Sequence, residues 1–166
     1  SEDTVRESKI GAVSHGYYGR RVVIPIISNG TCYGWVARSW GDADRKYLYP
    51  KGMKRGQLMF NQDALVANTS APVIVVEGVF DALNYWPHAV AVLGKPSGEH
   101  IRMLQSTNRP IVVALDSDAR DEGRALAMTL QVMGCDAMFV DLPPGLDPAD
   151  VDPSWLWLQI SKQLEA

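Results

Sequence analysis

The sequence of 166 residues lacks the features that define several classes of protein. Its only cysteines, Cys32 and Cys135, are far apart and indicate neither a disulfide framework nor a cysteine-based zinc site. No apolar run reaches the roughly 20 residues that a membrane span needs, and no basic-then-apolar leader opens the chain. The Gly-x-x-x-x-Gly-Lys-Ser/Thr pattern is also missing, so a fused P-loop helicase is not expected. These absences favour a cytoplasmic protein.

Charge is distributed unevenly along the chain. Residues 1–70 contain ten Lys/Arg and six Asp/Glu, a balance of +4, whereas residues 71–166 contain six and thirteen, a balance of −7. A basic half beside an acidic half is compatible with a protein that handles phosphates at a metal site. Because the mixed surface of an ordinary soluble domain gives similar numbers, charge alone leaves both interpretations open.

Two short apolar runs end in carboxylates. Residues 73–76 stop at Glu77, and residues 111–115 stop at Asp116 and Asp118. Continuous β-branched runs are typical of strands buried on both faces of a parallel sheet, whose carboxyl ends form the ligand-binding edge. If the two strands are neighbours, the three carboxylates converge and require a hard cation such as Mg²⁺. A solvated turn or a helix cap is the alternative interpretation of the Asp-x-Asp motif.

The remaining pattern predicts a β-rich part followed by an α/β part. Residues 1–19 show no clear period and are expected to form a loop. Strands are expected over 21–27 and 31–39, joined by turn chemistry at 28–30. From residue 73 onward, strands alternate with helices, as in a parallel sheet. The predicted organisation has three parts: a basic β-rich subdomain over 1–70, a metal-binding domain over 71–152 and a C-terminal helix over 153–166.

These motifs resemble a Toprim domain, the metal-binding fold of DnaG-type primases, topoisomerases and some nucleases. Glu77-Gly78, Asp116-Ser117-Asp118 and the Gly-x-Asp-Pro loop at 145–148 are its pattern. Upstream, residues 21–26, 34–38 and 46–50 are similar to the subdomain that precedes Toprim in the RNA-polymerase core of bacterial and phage DnaG-type primases. The resemblance implies an α/β fold in which a small β-rich N-terminal subdomain precedes a mostly parallel sheet with helices on both faces.

The resemblance also implies a function. A DNA primase core is a nucleotidyltransferase that makes short RNA primers on single-stranded DNA from ribonucleoside triphosphates, using Mg²⁺ or Mn²⁺. Such a core would work in the cytoplasm of a bacterial or phage-infected cell, with a replicative helicase or a separate zinc-binding module as further partners and no membrane. The alternatives are a Toprim nuclease and a non-catalytic module that binds nucleic acid or the replisome.

Individual residues acquire expected roles from the same resemblance. Glu77, Asp116 and Asp118 are expected to be catalytic and to bind metal, with Asp147 as a further metal ligand. The resemblance implies that Arg38 and Lys46 bind nucleic acid, and Lys51, Lys54 and Arg55 are further candidates for the same surface. Aromatic residues lie around Arg38 and Lys46, and they either stack on the bases of a single strand or belong to the core.

Three further positions are left open. Asp81 follows Glu77 by one helical turn, so it either faces the same cleft or is a first-turn residue that favours the helix dipole. Lys95 stands where primases often have a small hydroxylated residue, and it either meets the triphosphate or lies on the surface. Asp150 ends a loop that reads Asp-Pro-Ala-Asp in place of Asp-Pro-Asp, so it would reach the metal from one residue further along.

One more departure concerns the segment after the Asp-x-Asp motif. Asp121 and Glu122 replace the glycine that usually begins this segment in the family, which makes this corner of the predicted site more acidic.

Overall fold

The computed structural model describes residues 1–164 and contains two four-stranded sheets. Backbone contacts divide the chain into two compact units, of which the first is Ser1–Lys54 and the second begins at Arg55. Each unit holds one sheet, so the predicted mixture of a β-rich part and an α/β part is confirmed. Within residues 1–164, no helix has the length and apolarity that crossing a membrane requires.

Residues 55–70 pack within the second unit, although the sequence predicts the boundary at residue 70. The backbone of Phe60 forms a bridge with Ala91, and Nε2 of the buried His100 donates to the carbonyl of Leu58 at 3.0 Å. These contacts join residues that lie more than 30 positions apart, so no local pattern indicates them.

The first unit is an antiparallel sheet in the order β1-β2-β3-β4. Ile24, Ile26 and Val36 are buried in its core. In the predicted hairpin between the second and third strands, Asn29 and Gly30 both have positive φ, as a type I′ turn requires. The strands are β1 (Gly11–Val13), β2 (Arg21–Ser28), β3 (Thr31–Ser39) and β4 (Tyr47–Leu48).

The prediction of a loop over residues 1–19 is wrong for residues 2–7 and 11–13. A helix, α1 (Glu2–Glu7), begins after Ser1, whose hydroxyl accepts the N–H of Thr4 at 3.1 Å. Strand β1 then pairs antiparallel with β2. Six helical and three strand residues are too few for a hydrophobic period to emerge, so the pattern of the sequence did not indicate them.

Arg21 fixes the position of β4. Its buried guanidinium donates from Nη2 to the carbonyl of Arg45 at 2.7 Å and from Nη1 to the carbonyl of Lys46 at 3.0 Å. A buried cation is costly unless it finds acceptors. The segment that supplies these carbonyls is therefore held against the sheet, and β4 follows it directly.

The second unit is a parallel sheet in the order β6-β5-β7-β8. Its strands are β5 (Val73–Val76), β6 (Ala89–Ala91), β7 (Ile111–Val113) and β8 (Ala137–Phe139). Its α-helices are α2 (Val79–Asn84), α3 (Gly98–Leu104), α4 (Arg120–Val132) and α5 (Pro153–Leu164). Short 3₁₀ turns occupy Arg55–Gln57, Gln62–Val66 and Ser117–Ala119.

Helices cover both faces of the parallel sheet. Val73 and Val75 belong to one hydrophobic cluster with Leu104 of α3 and Leu130 of α4. Their neighbour Ile74 points to the opposite face and is equally buried, and α2 contacts β5 and β6. The predicted arrangement, with helices on both faces of a mostly parallel sheet, is confirmed.

Candidate functional site

Three carboxylates meet at the carboxyl edge of the parallel sheet. Strands β5 and β7 are parallel neighbours whose register pairs Val75 with Val113, so the residues after both strands leave the sheet side by side. One carboxylate oxygen each from Glu77, Asp116 and Asp118 lies within 4.8 Å of the others. Two ligands on opposite sides of a Mg²⁺ ion are about 4.2 Å apart. Small side-chain rotations would therefore bring the three oxygens to one ion.

The carboxylates of this group repel one another. Burial raises the pKa of Glu77 to about 7, and the charges of Asp116 and Asp118 add to the effect. Burial also raises the pKa of Asp116, followed by the charges of Asp147 and Asp118. Oδ1 of Asp116 is buried and has no hydrogen-bond partner among residues 1–164. An orphaned acceptor within an all-oxygen donor set fits a hard cation such as Mg²⁺ or Mn²⁺.

Asp81 caps helix α2 beside this group. Its Oδ2 accepts the backbone N–H of Gly78 at 2.9 Å, and a Cβ built on Gly78 would lie 2.6 Å from that oxygen. Burial raises the pKa of Asp81 to about 7, with the charges of Asp116 and Asp147 as the next causes. Asp81 therefore acts as the cap, and its charge also interacts with the carboxylates of the site.

The loop at residues 145–151 is tied to the Asp-x-Asp motif through Ser117. The hydroxyl of Ser117 accepts the N–H of Gly145 at 3.0 Å, and the N–H of Ser117 donates to the carbonyl of Leu146 at 3.2 Å. The middle residue of the motif thus holds the loop next to the two aspartates that flank it. No pattern in the sequence indicated this role.

The end of helix α2 holds the same loop from another side. The hydroxyl of Tyr85 donates to the carbonyl of Pro148 at 2.7 Å, and Nδ2 of Asn84 donates to the carbonyl of Val151 at 3.2 Å. Both bonds join residues more than 60 positions apart, so sequence reasoning missed them as well.

Asp147 and Asp150 form hydrogen bonds within this loop. Oδ1 of Asp147 accepts the N–H groups of Ala149 at 2.9 Å and Asp150 at 3.0 Å. Both carboxylates contribute to the raised pKa of Asp116. Among the described residues, however, the group that could share one metal ion contains Glu77 and the two aspartates of the motif, not Asp147. Metal ligation by Asp147 or Asp150 stays a prediction.

Lys95 lies on the surface and is paired with Glu122. Its Nζ is 3.2 Å from Oε1 of Glu122, and its side chain is 86% exposed. The pair connects the loop after β6 with the first turn of α4. The charge of Glu122 also contributes to the raised pKa of Glu77, so the pair lies within electrostatic reach of the three carboxylates.

The predicted nucleic-acid-binding residues are divided between the two units. In the first unit, the guanidinium carbon of Arg38 lies 5.6 Å from the ring centre of Tyr47, its partner across β3 and β4. The lysines are all exposed: Lys46, Lys51 and Lys54. In the second unit, Nη1 of Arg55 donates to the carbonyl of Leu93 at 3.4 Å.

The aromatic residues near Arg38 differ in exposure. Trp40 and Tyr47 are exposed by 53% and 37%, respectively. Trp35 is half-buried and packs edge-on against Tyr18, with 4.6 Å between the ring centres. Trp40 and Tyr47 therefore expose part of their rings to solvent, whereas Trp35 packs against another ring of the fold.

Comparison with known proteins relates this edge of the sheet to a family. A family model described as Toprim-like matches residues 74–152. This range of the chain is therefore similar to the Toprim-like family. The acidic residues discussed above all lie within this range, whereas the predicted basic residues of the first unit and Arg55 precede it.

The similarity to known proteins extends beyond the range that this family model matches. A DNA primase from Halalkalibacterium halodurans is 28% identical over 146 residues, which cover 80% of this chain and 24% of that protein. A solved DnaG catalytic core has a TM-score of 0.76 at 24% identity and covers 90% of this chain and 63% of its own. A DnaG primase catalytic domain bound to ssDNA has a TM-score of 0.70 at 25% identity, and the match covers 95% of this chain and 59% of that one. The chain thus spans about a quarter of that curated relative and less than two thirds of each of these solved chains.

Asp116→Asn tests whether the three carboxylates bind metal. Removing one charge relieves their repulsion, so the metal-free variant should melt about 3 °C higher for each 1 kcal/mol of repulsion removed. Mn²⁺ should stabilise the wild type and the control variant Asp121→Asn, because Asp121 is exposed and lies outside the group of three. Asp116→Asn should not respond to Mn²⁺. A full Mn²⁺ response in thermal unfolding of Asp116→Asn contradicts the site.

Asp81→Asn tests the electrostatic cost of the cap. An asparagine oxygen still accepts the N–H of Gly78 but carries no charge. Because the pKa of Asp81 is raised to about 7, folded wild type keeps a proton that the unfolded chain releases near pH 4. Binding of this proton stabilises the folded state at low pH, and the stabilisation is lost as the pH rises through 7. In urea unfolding with EDTA, the free energy of unfolding of the wild type should fall by about 2 kcal/mol more than that of Asp81→Asn between pH 5 and 8. If the free energy of unfolding changes equally with pH in both proteins, the raised pKa of Asp81 is refuted.

Proposed function

We propose that this chain is the catalytic core of a DnaG-type primase, which joins ribonucleotides into short RNA primers on a single-stranded DNA template. The observation that carries the proposal is the convergence of Glu77, Asp116 and Asp118 at the carboxyl edge of a Toprim-like domain. It is supported by the 28% identity to a DNA primase and by the shared fold, which extends through the first unit. In the cell, a replicative helicase or a zinc-binding module supplied from elsewhere is proposed as a partner.

The three carboxylates would hold Mg²⁺ or Mn²⁺. When bound, the ion neutralises triphosphate charge and lowers the pKa of the attacking 3′-hydroxyl. The protein contributes a rigid frame, because Glu77 and the Asp-x-Asp motif follow two strands that are buried in the core. Ser117 keeps the 145–151 loop, with its further carboxylates, beside this frame. Each addition joins the 3′-oxygen to the α-phosphorus and releases pyrophosphate.

The exposed basic and aromatic residues of the first unit are proposed to bind the template. Lys46, Lys51 and Lys54 are exposed and suit the phosphates of a single strand. Arg38 with Tyr47, and Trp40 near the end of β3, offer a cation and ring faces on which bases stack. Sequence-independent contacts of this kind suit an enzyme that must begin synthesis at many template positions.

Primer synthesis is the direct test of this function. Wild-type protein with single-stranded DNA, labelled ribonucleotides and Mg²⁺ or Mn²⁺ should yield short labelled RNA, and Asp116→Ala should yield none because a metal ligand is lost. Circular dichroism of the variant should match the wild type, since Asp116 is half-buried, follows strand β7 and makes no side-chain hydrogen bond through its buried Oδ1 within residues 1–164. Degradation of the template in place of synthesis would favour a Toprim nuclease. Without either product, a zinc-binding module added in trans should restore synthesis if the chain is a primase core.

Lys46→Ala tests the proposed template surface. Loss of one phosphate contact should weaken binding to single-stranded DNA and reduce the slope of log K against log salt by about 0.7. Fluorescence anisotropy at several salt concentrations measures both quantities. Arg6→Ala is the matched control, because Arg6 is an exposed cation of the same unit and is paired with Asp3. An unchanged salt dependence in Lys46→Ala would show that Lys46 does not belong to the proposed template-binding surface.

A further inference from the structure

Two residues that distinguish this chain from the primase pattern contact each other. Lys95 lies in the loop after β6, and Glu122 lies in the first turn of α4. Their side chains approach to 3.2 Å, although they are 27 positions apart. The additional cation and the additional anion therefore compensate each other in the free protein.

The pair lies beside the three carboxylates. The backbone N–H of Gly94, the residue before Lys95, donates to the carbonyl of Glu77 at 3.3 Å, and α4, which carries Glu122, begins two residues after Asp118. Nζ of Lys95 donates to Oε1 of Glu122 and offsets its negative charge. Through this contact, Lys95 brings a positive charge to an otherwise acidic neighbourhood.

The pair is also free to separate. The side chain of Lys95 is 86% exposed and that of Glu122 is 47% exposed, so water solvates both groups when they part. An exposed ion pair contributes little to stability, because water screens both charges. The lysine has a flexible four-carbon stem and three rotatable donors, whereas Glu122 is fixed to a helix. Lys95 is thus the member that moves when a stronger acceptor arrives.

We propose that Lys95 binds the phosphate oxygens of a nucleotide held at the three carboxylates, and that Glu122 restrains Lys95 while the nucleotide is absent. The inference rests on the proposed function, because it assigns this residue to the triphosphate of that reaction. A metal-bound triphosphate carries several anionic oxygens and competes effectively with a single carboxylate. Lys95 therefore contributes to nucleotide affinity, and Glu122 lowers that affinity.

Nucleotide affinity in a double-mutant cycle tests the proposal. Binding of Mg²⁺–GTP is measured by calorimetry for wild type, Lys95→Thr, Glu122→Gln and the double variant. Lys95→Thr should weaken binding about tenfold, because a charge-assisted hydrogen bond is lost. Glu122→Gln should strengthen binding about threefold, because Lys95 is released. The double variant should bind like Lys95→Thr, since the gain from Glu122→Gln requires the lysine.

Two comparisons distinguish phosphate binding from a general effect of charge. Arg102→Thr removes another exposed cation that is paired with a carboxylate, Glu99 of the same helix, and should leave the affinity for Mg²⁺–GTP unchanged. The effect of Lys95→Thr should be smaller for GMP than for GTP, because GMP has fewer phosphate oxygens. Wild-type affinity in Lys95→Thr, or an equal gain from Glu122→Gln with and without Lys95, would overturn the proposal.

The test of the Lys95 contact and the test of primase activity can fail independently of each other. If the wild type makes no primer but Lys95→Thr weakens Mg²⁺–GTP binding, the nucleotide contact stands and the primase activity fails. If primers form with an unchanged KM for ribonucleotides in Lys95→Thr, the primase activity stands and the contact fails. Absence of Mg²⁺–GTP binding by the wild type contradicts the nucleotide contact directly.

Discussion

The parallel pairing of β5 with β7 determines where negative charge accumulates in this protein. Because both strands end at the same edge, Glu77 and Asp116 leave the sheet side by side and cannot separate without disrupting the ladder. The buried core around these strands supplies the energy that holds the carboxylates together against their repulsion. The cap at Asp81 and the loop at 145–151 surround this concentration of charge. A bound cation would relieve it.

Local sequence patterns predicted the parts of the fold that depend on neighbouring residues. The β-branched runs at 73–76 and 111–115 indicated buried parallel strands, and Asn29-Gly30 indicated a tight hairpin. The rule that parallel strands share a carboxyl edge also predicted that Glu77 and the Asp-x-Asp motif would lie close together. The structure has them there, and their roles in metal binding and catalysis belong to the proposed function.

Other features could not be predicted because they depend on contacts between distant residues. Arg21 donates to carbonyls more than 20 positions away, and Tyr85 reaches Pro148 across more than 60. Neither contact leaves a period or a motif in the sequence. The helix and strand within residues 1–19 were missed for a different reason, because elements this short contain too few residues to show amphipathic spacing.

The way the 145–151 loop is attached affects how its sequence can change during evolution. Tyr85 and Asn84 bind carbonyl oxygens of the loop, and every residue type carries the same carbonyl. A substitution at Ala149, whose side chain is exposed, therefore need not alter the path of the loop. The residue type at position 149 can therefore change while the backbone of the loop stays in place. Constraint on this loop is instead expected at positions 84 and 85, on a different element of the fold.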